Sequence, residues 1–203
     1  TLEYLNYTAM KFAETNTSSQ TNYSCNYVPT IMLSNTMSLV PKLVEVQEFF
    51  QRNTIDVGFI TETWLNDRIN DSVVNIAGFN IFRKDSTVRE HGGVCNYARE
   101  HMKYGIPENF QCCEDHEILW IKLNPTRLPR GFTCMIIAVI YHPPGSDCHS
   151  VINHLFQSIS LAESLYPNCG IIIAGDFNVD SLKRHYKLKQ LVNLPKRGQV
   201  TLD

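Results

Sequence analysis

The chain has 203 residues, of which 43% are hydrophobic and 19% charged, and its formal net charge is −2 at pH 7. This balance is typical of a globular domain. It excludes a disordered chain and a protein that binds nucleic acid through an overall positive charge. No stretch reaches the roughly 18 apolar residues that a membrane-spanning helix needs. Seven cysteines without a Cys-x-x-Cys pair favour reduced thiols, so we expect an intracellular protein.

The first 29 residues have little hydrophobic pattern. Residues 15–22 are polar and low in complexity, and no basic-then-apolar signal peptide precedes them. We therefore expect residues 1–29 to be a flexible leader and residues 30–203 to be one domain.

That domain opens with a strand, a helix and a second strand. Residues 30–35 are the first predicted strand, and apolar residues recur at helical spacing over residues 40–53. Residues 55–61 are a second apolar strand. The two strands end on polar residues, Asn35 and Glu62, and ligands of such sheets bind at strand ends.

Shorter β segments follow, with two further helices. Strands are predicted at 73–76, 79–82, 94–98, 118–123, 132–141, 171–175 and 200–203, and helices at 149–166 and 184–193. The turn-like residues 128–131 predict a hairpin between the strands on either side of them. Strands dominate without strict alternation with helices, which indicates an α+β fold of two packed sheets flanked by helices.

The segment Ile171-Ile-Ile-Ala-Gly-Asp-Phe-Asn178 is the part of the chain with the most chemical content. Extended geometry would place Asp176 and Asn178 on one face at the end of a core strand, with Phe177 turned back to pack. Gly175 permits the close approach of a substrate or a neighbouring backbone. The alternative is a strand that ends in an Asx turn, because Asp and Asn favour such turns.

Polar residues recur wherever a predicted strand ends. They are Asn35, Glu62, Tyr141, Asp176, Asn178 and Asp203. Each has an ordinary reading alone, as a turn residue, a helix-start carboxylate, a half-buried aromatic or a surface charge. Together they indicate one site rich in carboxylate and amide oxygens, which suits a hard cation such as Mg²⁺.

The order of short motifs resembles the endonuclease/exonuclease/phosphatase superfamily, and within it the endonuclease domain of non-LTR (LINE-type) retrotransposon polyproteins. The motifs are Leu33-Ser-Asn35 with Ser38-Leu39, Ile60-Thr-Glu-Thr-Trp-Leu65, Gly78-Phe79, Arg83-Lys-Asp85, Gly92-Gly-Val94, Glu117-Ile-Leu-Trp120, Tyr141-His-Pro-Pro144, Gly175-Asp-Phe-Asn178, and Gln190-Leu-Val with Pro195 and Arg197-Gly-Gln-Val-Thr-Leu-Asp203. They cover residues 30–203 in one unbroken order. A lone Gly-Asp-Phe-Asn is a weak signal, but the combination is specific.

The resemblance implies a DNase I-like, four-layer fold and a DNA endonuclease that leaves a nick with a free 3′ hydroxyl, which primes reverse transcription. It implies that Glu62, assisted by Asn35, binds Mg²⁺, or Mn²⁺ in its place. Asp176 would orient or deprotonate the attacking water, and Asn178 would hydrogen-bond the scissile phosphate. Tyr141 would contact that phosphate or the nucleophile. Asp203 would hold a histidine that completes the site in family members.

The resemblance also implies partners and a location. DNA is the expected substrate, and a reverse transcriptase domain is expected elsewhere in the parent polyprotein. We expect an intracellular monomer without a membrane partner, which is nuclear if it is functional. Lys196 and Arg197 are the preferred candidates for DNA contacts. Further basic residues could serve there but are expected to form a solvated face: Arg127, Arg130, Lys183, Arg184, Lys187 and Lys189.

Three departures from the family pattern bear on activity. The closing Ser-Asp-His motif has no counterpart, so we expect a C-terminally truncated domain without its final strands. Met37 stands where the family carries arginine, and Lys196 where it carries threonine. His142 does not replace the missing histidine, and we expect it to face solvent or DNA. Two hypotheses follow: an endonuclease domain, here a truncated or partly degenerate copy, and a non-catalytic remnant of the same fold that at most binds nucleic acid. For this chain we expect catalytic incompetence. A third possibility is a phosphatase or sphingomyelinase-like relative with the same fold.

Overall fold

Two sheets packed face to face form the centre of this computed structural model, which describes residues 7–10, 29–107, 110, 116–125 and 128–178. The first sheet has strand order β1-β2-β3-β5-β4 and the second β6-β7-β8-β9. The strands are β1 (Tyr7–Met10), β2 (Ile31–Asn35), β3 (Val57–Thr61), β4 (Phe79–Lys84), β5 (Val94–Arg99), β6 (Lys103–Gly105), β7 (Glu117–Asn124), β8 (Met135–Tyr141) and β9 (Gly170–Asp176). Only β2–β3 and β8–β9 pair in parallel among the described strands.

One helix covers the outer face of each sheet. Helix α1 (Leu43–Arg52) buries Val46 and Phe50 against the first sheet, and α2 (Cys148–Leu165) buries Val151 and Leu155 against the second. The layers therefore run helix, sheet, sheet, helix, which confirms the predicted α+β sandwich. A short 3-10 turn, Val40–Lys42, with Pro41 near its start, leads into α1.

The core between the sheets is apolar and comes from alternate residues of each strand. Phe59 and Val94 of the first sheet meet Ile137 and Val139 of the second, and all four are fully buried. Alternation follows from strand geometry, since successive side chains point to opposite faces. Tyr141 continues the Ile137–Val139 row, so its side chain enters the space between the sheets at the carboxyl end of β8.

Within the residues that the structure describes, the predicted helices and strands are present except for one strand. The predicted β2–α1–β3 unit and the hairpin of β7 and β8 are confirmed. The predicted strand at 73–76 is wrong, because Asp71–Val74 is a 3-10 helix whose first turn is capped by the Asn70 side chain. Val74 and Ile76 are buried against the first sheet without forming a strand, whereas Val73 is 50% exposed.

Two strands were not predicted. Strand β1 lies within the expected leader and pairs antiparallel with β2, and β6 pairs with β7. The boundary between leader and domain stays a prediction. The predicted helix at 184–193 and the strand at 200–203 lie outside the described residues. Among the described helices, none is both long enough and apolar enough to cross a bilayer.

Gly175 fixes how closely β9 approaches β8. Its φ is +150°, and an added Cβ would lie 1.9 Å from the carbonyl oxygen of Ile140 on the paired strand. The sequence left open whether a substrate or a neighbouring backbone requires this glycine. The structure shows that a glycine is needed here because the backbone of β8 lies too close for any side chain.

We predict that Gly175→Ala destabilises the protein by about 1–3 kcal/mol, because the methyl group collides with backbone that cannot rotate away. Urea denaturation measures the change. Gly105→Ala is the matched control, since a Cβ there meets no atom within 4 Å. Equal stability of the two variants would contradict the assignment.

Candidate active site

The ends of strands from both sheets meet at one edge of the sandwich. Tyr141 is paired with Asp176 on one side and with Glu117 on the other, in neighbouring strands of the second sheet. Residues paired in register point to the same face, so these three side chains form a row facing the first sheet. The strand ends of the first sheet, with Asn35 and Glu62, lie opposite that row.

The Asn35 side chain connects the two sheets. Its Nδ2 donates to Glu62 Oε1 at 2.8 Å and to Asp176 Oδ2 at 3.1 Å. Its Oδ1 accepts from the backbone N–H of Met37 at 3.2 Å, which fixes the orientation of the amide. The residues predicted from separate strand ends are therefore in direct contact. One amide group holds a carboxylate from each sheet.

Backbone hydrogen bonds continue beyond the strands and hold the loops that carry these residues. Ser38 N–H donates to the Glu62 carbonyl at 2.9 Å, and Leu39 N–H donates to the Thr63 carbonyl at 2.9 Å. Trp64 N–H donates in turn to the Gly92 carbonyl at 2.9 Å. Three loops of the first sheet are thus joined side by side, which restricts Glu62 to one position.

Strained backbone is concentrated in these loops. Seven non-glycine residues have positive φ in the described part of the chain, and five of them lie at the site: Met37, Ser38, Glu62, Trp64 and Asn178. Each such residue costs on the order of 1–3 kcal/mol and persists only where surrounding contacts enforce it. Clustering of this kind is a feature of functional sites, and here it coincides with the predicted metal-binding carboxylate.

The end of β9 combines the two predicted alternatives, an extended end with Asp176 facing the site and an Asx turn. Asn178 has φ 44° and its N–H donates to Asp176 Oδ1 at 3.1 Å, so an Asx turn ends the strand and the two side chains do not share an extended face. Phe177 packs back against the α2 side of the second sheet, as predicted. Asp176 nevertheless faces the site, because its other carboxylate oxygen receives the Asn35 amide.

The loop after β8 clamps this turn. Asn178 Nδ2 donates to the His142 carbonyl at 3.0 Å, and His142 N–H donates to the Asp176 carbonyl at 2.8 Å. The expectation that His142 faces solvent or DNA is wrong, since it is 4% exposed. Its Nε2 lies 3.5 Å from Cys148 Sγ, and burial lowers the pKa of the imidazole. His142 is therefore a buried side chain behind the site.

Tyr141 is a protonated phenol at neutral pH. Burial, followed by the negative charges of Glu62, Asp176 and Glu117, raises its pKa to about 12. The side chain is 8% exposed at the inner edge of the acidic row. A phenol held in this form is a hydrogen-bond donor, which suits a group that contacts an anion.

Glu117 belongs to the site, although the sequence suggested no role for it. Its Oε2 accepts the N–H of Gly93 at 2.5 Å and occupies the space above Gly92, where a Cβ would lie 2.6 Å from the same oxygen. Both glycines have positive φ. The Gly92-Gly93 pair was the available signal, since adjacent glycines mark a place where another group approaches the backbone closely. Glu117 thereby ties the second sheet to the loop that holds Trp64.

Most of the other candidates cannot be placed relative to this site, and Arg130 lies away from it. Asp203, Lys196 and Arg197 lie outside the described residues, as do Arg127, Lys183, Arg184, Lys187 and Lys189. Arg130 is exposed in the β7–β8 connection, at the end of those strands opposite to Tyr141. Arg83 donates to Asp71, Asp85 and the carbonyls of Asn66 and Ile69, so it holds a surface loop in place.

The donor set fits a hard divalent cation with few protein ligands. No group of three or more His, Cys, Asp or Glu side chains within the described residues is arranged to hold a metal ion. Glu62 and Asp176 nevertheless provide two neighbouring carboxylates, because both accept hydrogen bonds from the same amide nitrogen of Asn35. Mg²⁺ is commonly bound by one or two carboxylates, with water and substrate phosphate completing its coordination. The residues present therefore meet its requirements.

We predict that Glu117→Ala destabilises the protein by about 1–3 kcal/mol, because the buried N–H of Gly93 loses its acceptor. Glu117→Gln keeps an oxygen at that position and should cost less. Thermal denaturation measures both, with Glu163→Ala on the exposed side of α2 as the control. A Glu117→Ala variant as stable as the control would show that the carboxylate does not hold the loop.

Comparison with solved structures confirms the DNase I-like fold. The endonuclease domain of TRAS1, a telomere-specific non-LTR retrotransposon, matches with a TM-score of 0.51 and 12% identity, covering 75% of this chain and 61% of that domain. A humanised TDP2 of D. rerio carrying 14 mutations matches with a TM-score of 0.51 and 15% identity, covering 82% of this chain and 67% of that one. At such identities the likeness shows the fold alone. The chain spans about three fifths of the TRAS1 domain.

Sequence comparison places the chain in a family. No curated protein sequence matches it. The model described as the Endonuclease/Exonuclease/phosphatase family matches residues 18–191, which is most of the chain. The chain belongs to the endonuclease/exonuclease/phosphatase family of hydrolytic enzymes.

Proposed function

We propose that the chain is the endonuclease domain of a non-LTR retrotransposon, and that its site hydrolyses a DNA phosphodiester to leave a 3′ hydroxyl for reverse transcription. The observation that carries the proposal is the Asn35 amide between Glu62 and Asp176, which gathers two carboxylates from opposite sheets beside the Tyr141 phenol. The likeness to the TRAS1 endonuclease domain supports the retrotransposon origin at the level of the fold.

Each side chain has a role that its chemistry supports. Glu62, with Asn35, would hold Mg²⁺ or Mn²⁺. When bound, the cation supplies positive charge against the charge that builds up on the phosphate in the transition state. Asp176 accepts a proton from, or orients, the attacking water. The Tyr141 phenol donates a hydrogen bond to a phosphate oxygen.

Asn178 and Asp203 complete the proposed set. Asn178 Nδ2 uses one N–H on the His142 carbonyl. A side-chain amide carries two such donors, so a second N–H remains for a phosphate oxygen. Asp203 would orient a histidine, and Lys196 and Arg197 would contact the DNA backbone. These three residues stay predictions.

The biological setting is inferred from the same proposal. DNA would be the substrate, and a reverse transcriptase domain of the parent polyprotein would extend the nicked 3′ end. The domain would act as a monomer in the nucleus. A non-catalytic domain of the same fold that only binds nucleic acid is the alternative that the following experiment separates.

Plasmid nicking with Mg²⁺ tests the proposal. The samples are the 203-residue chain, a version extended through a Ser-Asp-His strand, and Asp176→Ala in both. We expect the extended version to nick supercoiled plasmid. Asp176→Ala should lower its rate by about 10²–10⁴-fold, because the water loses its base. Asp67→Ala, an exposed loop carboxylate, is the control that should keep full activity.

The outcomes separate the two hypotheses. An extended version that nicks with Mg²⁺ and stops in EDTA supports the endonuclease. Equal rates with and without the added strand would show that the Ser-Asp-His motif is dispensable. A chain that retards plasmid but never nicks it, with Mg²⁺ or Mn²⁺, supports the binding module and contradicts the proposal.

A further inference from the structure

The connection between β4 and β5 forms one wall of the site, and its outer part is fully exposed. Residues 87–91, here called the rim loop, are exposed without exception, and Val88 reaches 83%. The base of the connection is different, since Gly92 and Gly93 are buried and held by Glu117 and by the Trp64 and Thr63 backbone. The β4–β5 connection therefore has a buried, hydrogen-bonded base and an exposed outer part.

The rim loop places an aromatic pair beside the metal-binding carboxylate. The His91 ring contacts the Trp64 ring in a tilted arrangement, with a centroid distance of 4.2 Å and an interplanar angle of 42°. Trp64 is only two residues from Glu62, and its backbone is locked to Gly92. Because His91 is exposed, the pair offers ring surface at the mouth of the site.

The rim loop also places the positively charged side chain of Arg89 beside the loop that follows Tyr141. Arg89 Nη2 donates to Ser146 Oγ at 3.3 Å, in the loop that follows Tyr141. Arg89 is exposed, and its charge acts on Tyr141 in opposition to the acidic row. The guanidinium therefore lies beside the loop that follows Tyr141.

We propose that the rim loop and Trp64 bind an unpaired nucleotide next to the cleaved phosphate, with the base on the Trp64–His91 pair and an adjacent phosphate on Arg89. The inference rests on the proposed function and refines its substrate to DNA that is single-stranded or locally open. Aromatic side chains stack on unpaired bases, whereas the faces of bases inside a duplex are covered by their neighbours. Arginine adds a charged contact to the backbone.

Tryptophan fluorescence tests the base contact directly. The chain has two tryptophans, and Trp120 is 2% exposed in the core under α2. In Trp120→Phe, the remaining signal comes from Trp64. We expect saturable quenching of this signal by a single-stranded oligonucleotide in EDTA, where no cleavage occurs. A blunt duplex of the same sequence should quench less.

Anisotropy of a labelled oligonucleotide gives the same information without the core substitution. We expect His91→Ala to weaken single-strand binding by about 5- to 100-fold, from the usual contribution of base stacking. Arg89→Ala should weaken binding and reduce the slope of log K against log salt by about 0.7, the value for one phosphate contact on a single strand. Arg130→Ala, at the opposite end of β7 and β8, is the matched control and should change neither quantity.

Failure of this inference is distinguishable from failure of the proposed function. Unchanged affinity in both His91→Ala and Arg89→Ala, or equal binding of duplex and single strand, overturns the rim-loop assignment even when the plasmid is nicked. Loss of binding in those variants supports it even when no nicking is seen.

Discussion

The structure of the site depends on one hydrogen-bonded group, the Asn35 amide between Glu62 and Asp176. Two carboxylates this close repel each other, and an N–H from each side of one nitrogen offsets that repulsion. Since Glu62 belongs to the first sheet and Asp176 to the second, the same amide also sets how the two sheets meet at this edge. The site therefore forms only when the two sheets are packed together at this edge.

Hydrogen bonds to the backbone hold the loops around the amide. The loops after β2 and β3 continue the hydrogen bonding of the strands, and Gly92 and Gly93 receive the Glu117 carboxylate from the other sheet. Several residues there have positive φ, which folding must overcome. A site held this way is organised before any ligand arrives, and that reduces the cost of ordering the site on binding.

Much of this was accessible from the sequence. Apolar runs located the core strands, and the polar residues after them identified Asn35, Glu62, Tyr141 and Asp176 as one group, because ends of neighbouring strands meet at a sheet edge. Motif order then indicated the family. Hydrophobic pattern failed at 73–76, because the first two of these residues belong to the 3-10 helix Asp71–Val74, which Asn70 caps and which buries only Val74.

Other features depended on contacts between residues far apart in the chain. Glu117 acquires its role from Gly93, which is 24 residues away in the chain, and from the neighbouring Gly92, and no local pattern reveals that pairing. His142 is buried because α2 brings Cys148 beside it, although its neighbours in sequence resemble a surface loop. The Asx turn at Asp176 was one of two local alternatives. In the structure, one oxygen of the Asp176 carboxylate accepts from the Asn178 N–H in the turn, and the other accepts from the Asn35 amide in the site.

Calorimetric titration of Mg²⁺ in the absence of DNA tests the central claim most directly. We expect saturable binding by the wild-type chain and its loss in Glu62→Gln with Asp176→Asn, which keeps the shape of the site and removes both charges. A ligand that binds only the folded state raises the unfolding temperature, so Mg²⁺ should stabilise the wild type and not the double variant. Equal Mg²⁺ affinity in the two proteins would show that the cation is held elsewhere and would contradict the account.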